Sequence, residues 1–203
     1  MDQFPKLKSI LVSNTRPYSG SNSIAADIAR IIAVNGKSVV VIDADMRHPY
    51  MHKVFGISNH CGLWDLICGR QPKAEVIQCN KNSNVSVITA GNLPDKQTNP
   101  LNSIQMQELI VELGSNFEKI IIHGPAFCYL EASSLAGKVD GLVLLIHPGH
   151  IKTQMYQSMV DKFQKNGTRI TGIVMRDQPK HDTGQSAFID RLLTFDRQVQ
   201  HSA

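Results

Sequence analysis

Two aspartates stand one residue apart where a run of β-branched residues ends, in Val39-Val40-Val41-Ile42-Asp43-Ala44-Asp45-Met46-Arg47-His48-Pro49. Paired carboxylates supply the hard oxygens that a cation such as Mg²⁺ requires. A second stretch has the layout of a phosphate-binding loop: a short apolar run, then Thr15-Arg16-Pro17-Tyr18-Ser19-Gly20-Ser21-Asn22-Ser23, then a helical pattern. A working loop of this kind reads G-x-x-x-x-G-K-[ST], with the Lys on the phosphates and the Ser or Thr on Mg²⁺. Here Gly20 holds the second glycine's place and Tyr18 the first's, while Ser21 replaces Lys and Asn22 replaces Ser or Thr. The backbone N–H groups from Gly20 to Ser23 still open a helix, which attracts anions without any Lys. Alone, such a loop is also what an ordinary strand-to-helix connection with a Ser cap looks like.

The elements that must hold these groups follow from periodicity. Short continuous apolar runs at Ile10–Val12, Val39–Ile42, Val85–Ile88, 119–122, 141–146 and 170–175 read as strands. Helical spacing marks 23–33, 62–69, 73–79, 103–113 and 152–165, with stop signals at Asn35-Gly36, Gly114 and Asn166-Gly167. Continuous rather than alternating apolar strands mean that both sheet faces are covered. The expected fold is therefore α/β: a doubly wound, mainly parallel sheet flanked by helices, one domain over 8–177 with a polar tail at 178–203. Ligands of such sheets bind beyond the carboxyl ends of the strands, which singles out 14–23, 43–47, 123–127 and 147–150.

Composition narrows the class. The 203 residues are 42% hydrophobic and 19% charged, which excludes a disordered chain. No apolar run approaches the roughly 20 residues of a membrane span, and the first residues carry no secretion signal. Net charge is +4, but Lys and Arg are scattered along the chain, so nucleic acid is not an expected partner. Cys61, Cys68, Cys79 and Cys128 form no C-x-x-C pair and read as small buried hydrophobes. His147 and His150 have no third ligand in view, so no metal site is expected there. Trp64 and Phe55 read as core, Arg16 and Arg47 as solvated or salt-bridged, and His123 as a buried histidine bonded to an acid.

With these residues in place, the chain resembles the cytoplasmic domain of bacterial tyrosine kinases (BY-kinases), relatives of the MinD-type ATPases, which control polysaccharide chain length and export. The resemblance runs from Lys8 to about Asp177. It rests on the Asp43-to-Pro49 segment (hhhhDxDxRxP), on Gly62-Leu63-Trp64-Asp65-Leu66 through Gly69 (GLxDLLxG), on Ile121-Ile122-His123-Gly124-Pro125 (IIDTP), and on the loop frame with Pro17 and Gly20. It implies a P-loop fold with ATP and Mg²⁺ held by the loop, the two aspartates and a further Asp. It also implies a partner in a membrane polysaccharide co-polymerase or in the protein's own N-terminal membrane region, a position at the inner face of the bacterial inner membrane, and a possible homo-oligomer. Because the chain starts just before the first strand, a fragment of a longer membrane protein is expected.

The departures from the family pattern fall at the charge centre. The loop Lys is Ser21, its neighbour is Asn22, the strand-end Asp is His123, and the Asn expected near adenine is Arg176. None of the four tyrosines lies in 178–203, where the family has its phosphorylated cluster. Asp43 and Asp45 remain, and without a metal they repel phosphate: at an effective dielectric of about 20, like charges 4 Å apart cost roughly 4 kcal/mol. The expectation is a catalytically degenerate, pseudokinase-like domain with no cofactor and no metal, retaining at most an anion-binding remnant at Gly20, Ser21, Asn22, Ser23 and Arg176. An active autokinase or ATPase binding ATP-Mg through a non-standard loop is the alternative; a MinD-type positioning protein fits less well. Without metal, Asp43 and Asp45 need a partner; the resemblance implies that the strand ending at Asp43 lies beside the one ending at His123, which makes His123, then Arg47, the candidates.

Overall fold

In a computed structural model, residues 7–15, 21–80, 83–93, 100–146 and 167–175 are described. Seven strands form one sheet: β1 (Ser9–Asn14), β2 (Val39–Asp43), β3 (Gln78–Asn80), β4 (Val85–Ile88), β5 (Lys119–His123), β6 (Gly141–Ile146) and β7 (Ile170–Met175). Their order is β3-β4-β2-β5-β1-β6-β7, and all pairings are parallel except β3 with β4. The helices are α1 (Ser21–Val34), α2 (Met51–Phe55), α3 (Leu63–Ile67), α4 (Lys73–Val76), α5 (Ile104–Asn116) and α6 (Leu130–Ala136). This is the mainly parallel, helix-flanked α/β sheet expected from the apolar runs.

Strand residues alternate between two cores, as the pleat requires. Val39, Val41 and Ile121 face a layer made by α1 and α2, with Ala25, Ala26, Ala29, Met51 and Phe55. Val40, Ile42, Ile120 and Ile122 face the other layer, with Leu63, Trp64, Met106 and Leu113. Ala25, Ala26 and Ala29 of α1 are fully buried, so its backbone can sit close over the sheet. The helix stops where Gly36 takes φ +76°, with the N–H of Lys37 donating to the Ile32 carbonyl and that of Gly36 to Ala33.

The Gly62-to-Leu66 segment has a packing explanation. A Cβ on Gly62 would lie 2.2 Å from the Gly91 nitrogen, so only glycine lets α3 begin against the end of β4. The Asp65 carboxylate then accepts the Gly62 N–H at 2.9 Å, and the Leu63 N–H donates to the Thr89 carbonyl at 2.7 Å.

Four expectations need correction. Gln78 and Cys79 are strand, not the end of a helix: α4 closes at Val76, and the chain then pairs antiparallel with β4 at the sheet edge. Gly114 does not end α5, which runs on to Asn116. Two short helices, α2 and α6, were not legible as periodic patterns. The cysteines are not core: Cys68, Cys79 and Cys128 are exposed and Cys61 is half-buried. Trp64 and Phe55 are core, as read. The helix expected at 152–165 and the polar tail lie outside the described residues.

Asp140 pins the N-terminal end of the sheet. One carboxylate oxygen accepts the N–H groups of Lys8 (2.9 Å) and Ser9 (2.8 Å) and the Ser9 hydroxyl (2.9 Å). Burial alone would raise its pKa, but these bonds and the Lys119 charge hold it below the ordinary carboxylate value. A depressed carboxylate stabilises the fold above its unfolded pKa, and that stability is lost as pH falls through the folded one. Asp140→Ala should cost about 1 kcal/mol at pH 7, at the low end for bonds to a carboxylate because the group is exposed. Thermal melts should show the difference from wild type closing as pH falls below the carboxylate range.

Candidate functional site

The site forms at the carboxyl ends of β2, β5 and β1. Parallel register sets Asp43 opposite His123, and the Ala44 N–H donates to the His123 carbonyl at 2.8 Å. Alternation sends both side chains to the α1 and α2 face of the sheet. There the His123 Nδ1 lies 3.0 Å from the Asp43 Oδ1, the distance of a hydrogen bond from ring to carboxylate. The two side chains are 1% and 0% exposed.

The other oxygen of Asp43 is also engaged. Its Oδ2 accepts the N–H groups of Tyr50 at 2.8 Å and Met51 at 2.9 Å, which start α2. Asp43 is thus bonded to one imidazole and two backbone amides. Buried carboxylates are tolerated when their lone pairs are met in this way. His123 is the partner expected for it, and Arg47 is not.

Arg47 turns to α6. Both its Nε (3.2 Å) and an Nη donate to the Glu131 Oε1, and its guanidinium lies 5.0 Å from the Tyr129 ring centre. The Glu131 hydrogen bonds raise the pKa of Arg47 above its ordinary value. Glu131 and Tyr129 were not singled out in the sequence. The acid in the first turn of a helix was the available signal, but α6 itself was not recognised. Beside this pair lies a shallow apolar cleft lined by Ala44, Met46, Leu93, Leu101 and Pro125.

Asp45, two residues beyond Asp43, is 14% exposed. Its Oδ1 accepts the His48 N–H at 3.1 Å, with the His48 Nδ1 at 3.7 Å. Burial raises its pKa above the ordinary carboxylate value; the Asp43 charge adds to the rise, while His123 and His48 oppose it. At the end of β1 the Ser13 hydroxyl donates to the Pro125 carbonyl at 2.5 Å, tying β1 to the segment after His123. The neighbouring Thr15 hydroxyl is buried without a hydrogen-bond partner among the described residues.

Of the sequence candidates, Asp43, Asp45 and His123 come together. Ser21, Asn22 and Ser23 open α1. Gly20, Arg16, Arg176, His147 and His150 lie outside the described residues. No group of three or more His, Cys, Asp or Glu among the described residues is arranged to hold a metal ion. The position that resemblance assigns to Mg²⁺ does not suit that ion here. Mg²⁺ keeps several waters and takes oxygen ligands, whereas Asp43 is bonded on both oxygens and shut away with an imidazole.

No protein-family model matches the chain. It is 29% identical over 177 residues to the tyrosine-protein kinase ptk of Acinetobacter johnsonii, covering 86% of this chain and 24% of that one. It is 26% identical to the tyrosine-protein kinase YwqD of Bacillus subtilis (84% and 72% covered) and 26% identical to wzc of Salmonella typhimurium (86% and 24%). The chain thus spans about a quarter of the length of ptk and wzc. Among solved structures, it matches the VpsO kinase domain with a TM-score of 0.78 at 25% identity, covering 85% of each chain. The kinase domain of Escherichia coli ETK gives 0.79 at 23% (91% and 74% covered). MinD of Pyrococcus horikoshii complexed with Mg-ADP gives 0.74 at 18% (90% and 76%). The homologues of this chain are bacterial tyrosine-protein kinases, and its fold is that of their kinase domains and of the MinD-type P-loop ATPases.

Proposed function

We propose that this chain is a BY-kinase-like domain that has given up phosphoryl transfer and works by binding a partner in the assembly and export of a capsular or extracellular polysaccharide. The partner is a membrane polysaccharide co-polymerase, or a membrane region of the same protein, at the inner face of the bacterial inner membrane. The observation that carries this reading is the Asp43–His123 pair: the strand-end carboxylate is bonded to the side chain that stands where the family has an Asp. Three further features support it. Ser21 and Asn22 bring no cation to the start of α1. Arg47, at the same end of the sheet, is held by Glu131. The raised pKa of Asp45 shows that burial outweighs the opposing charges of His123 and His48.

A helix N-terminus attracts anions without Lys, so binding of phosphate or nucleotide at α1 remains compatible with this reading while hydrolysis is not. Incubation with labelled ATP and Mg²⁺ should yield no phosphotyrosine and no released phosphate above the level of a Ser21→Ala control. Autophosphorylation clearly above that control would establish the active kinase instead.

The pair itself gives a second expectation. His123→Asp removes the hydrogen-bond donor and sets a carboxylate against Asp43, with Asp45 close by. Breaking a buried pair of this kind costs about 3–5 kcal/mol, so the melting midpoint in EDTA should fall by about 10 °C. An unchanged midpoint would mean that the pair does not form. Adding Ser21→Lys and Asn22→Ser to His123→Asp should bring back Mg²⁺-dependent ATP binding, measured by calorimetry, if the frame is an emptied nucleotide site.

Asp45→Asn tests the electrostatics. A carboxyl whose folded pKa is raised stabilises the fold fully below its unfolded pKa and loses that contribution as pH rises through the folded one. The Asn variant keeps an acceptor for the His48 N–H, so it should melt above wild type at pH 7. Its advantage should vanish below the ordinary carboxylate range.

A further inference from the structure

Lys and Arg are scattered in the sequence, but the topology collects them. Of the ten described, five are engaged by a carboxylate or an aromatic ring: Arg30 with Asp27 and Phe55, Arg47 with Glu131 and Tyr129, Lys53 with Tyr50, Arg70 with Trp64, and Lys73 with Glu112. The remaining five are Lys8, Lys37, Lys119, Lys138 and Arg169, and none forms an ion pair or ring contact among the described residues. All five lie at the start of a strand or within three residues before one, on five neighbouring strands: β2, β5, β1, β6 and β7.

Because those strands are parallel, their starts share one edge of the sheet, opposite the Asp43–His123 site. Register confirms the row. The Ser38 carbonyl accepts the Lys119 N–H, the Lys8 carbonyl accepts the Ile120 N–H, the Ser9 carbonyl accepts the Asp140 N–H, and the Arg169 carbonyl accepts the Leu142 N–H. At about 4.8 Å between strands, the row is roughly 20 Å long. Lys8, Lys37 and Arg169 are exposed; Lys119 and Lys138 are half-buried, and the Lys119 amine donates to the Leu7 carbonyl. Two described carboxylates, Glu118 and Asp140, share the edge, each bonded to backbone N–H, so the described charges of the edge sum to a net positive.

An apolar feature adjoins this row. Helix α1 runs back from the site and ends at the same edge, three residues before Lys37. At its end Val34 is 86% exposed and Ile31 is 63% exposed. A row of cations that form no ion pair or ring contact, next to exposed aliphatic side chains, suits an anionic bilayer surface, where charge draws the protein in and apolar groups enter the headgroup layer. It does not suit sequence reading of nucleic acid, which uses base-edge contacts in a groove or aromatic stacking; none of the five cations is interleaved with an exposed aromatic residue.

We infer that the N-terminal edge of the sheet, with Lys8, Lys37, Lys119, Lys138 and Arg169, is a docking surface for anionic lipid headgroups. This orientation turns the Asp43–His123 end away from the bilayer. It does not depend on whether the site binds nucleotide.

Sedimentation of the full chain with vesicles tests it. Binding is expected to vesicles of phosphatidylcholine with phosphatidylserine, not to phosphatidylcholine alone, and should fall as salt is raised. The variant Lys8→Gln, Lys37→Gln, Arg169→Gln should lose at least about tenfold in partitioning, since each cation near such a surface contributes roughly fivefold. Its melting curve should match wild type, because these three side chains have no ion pairs to lose. The variant Lys53→Gln, Arg70→Gln, whose cations lie over Tyr50 and Trp64 near the opposite end of the sheet, should lose less than about twofold. Equal losses in the two variants would overturn the inference, as would no preference for phosphatidylserine. Tighter binding to duplex DNA than to the anionic vesicles at the same salt would also overturn it and assign the edge to nucleic acid.

Discussion

The contact between His123 and Asp43 is the constraint around which the functional end of the molecule is organised. A carboxylate with no solvent exposure must have its lone pairs met from within the protein. One oxygen is met by the imidazole and the other by two amides at the start of α2. The same group therefore joins three elements: β5 through His123, β2 through its own backbone, and α2 through Tyr50 and Met51. Helix α2 is a single turn of five residues with no side-chain cap of its own at Tyr50. A helix that short is not stable by propensity; Asp43 supplies the acceptor that its first amides lack.

Open α/β sheets bind ligands beyond the carboxyl ends of their strands, and the proposed loss of catalysis is a statement about charge balance. ATP carries about four negative charges, and a site with two aspartates needs cations to accept it. Here the nearby arginine is held by Glu131 and lies over Tyr129, and the strand-end histidine is bonded to Asp43. Among the described residues, the cations at the opposite edge of the sheet are the ones with neither a carboxylate ion pair nor a ring contact. The two ends thus differ in kind: one is internally compensated, while the other carries net charge outward, where it can attract an anionic surface.

Much of the fold could be read from the chain because continuous apolar strands such as Val39–Ile42 and Ile120–Ile122 leave few architectures open. Parallel order brings strand ends together, but it is the resemblance that sets the strand ending at Asp43 beside the one ending at His123 and so names His123 as its partner. What escaped depended on tertiary contacts. Lys73 to Cys79 carries Ala74, Val76 and Ile77 at helical spacing, yet pairing with β4 at the sheet edge draws Gln78 and Cys79 into a strand. The Arg47–Glu131 pair joins residues 84 apart, through a helix too short to show a period. The cysteines were misjudged because a thiol is buried on average, whereas Cys68 caps a surface helix and Cys79 sits on the edge strand. The basic row was invisible for the opposite reason. Its members are 19 to 82 residues apart from their neighbours along the chain, and only the parallel register assembles them.

The central claim, that Asp43 is satisfied by His123 and backbone amides and has nothing left for a cation, can be tested by NMR with paramagnetic Mn²⁺, an ion that accepts both oxygen and imidazole ligands. The His123 ring resonances and the amide signals of Tyr50 and Met51 should keep their intensity as Mn²⁺ is added, with and without ATP. Selective broadening of those signals at low Mn²⁺ would contradict the claim, because it would place the ion at the carboxylate that the histidine occupies.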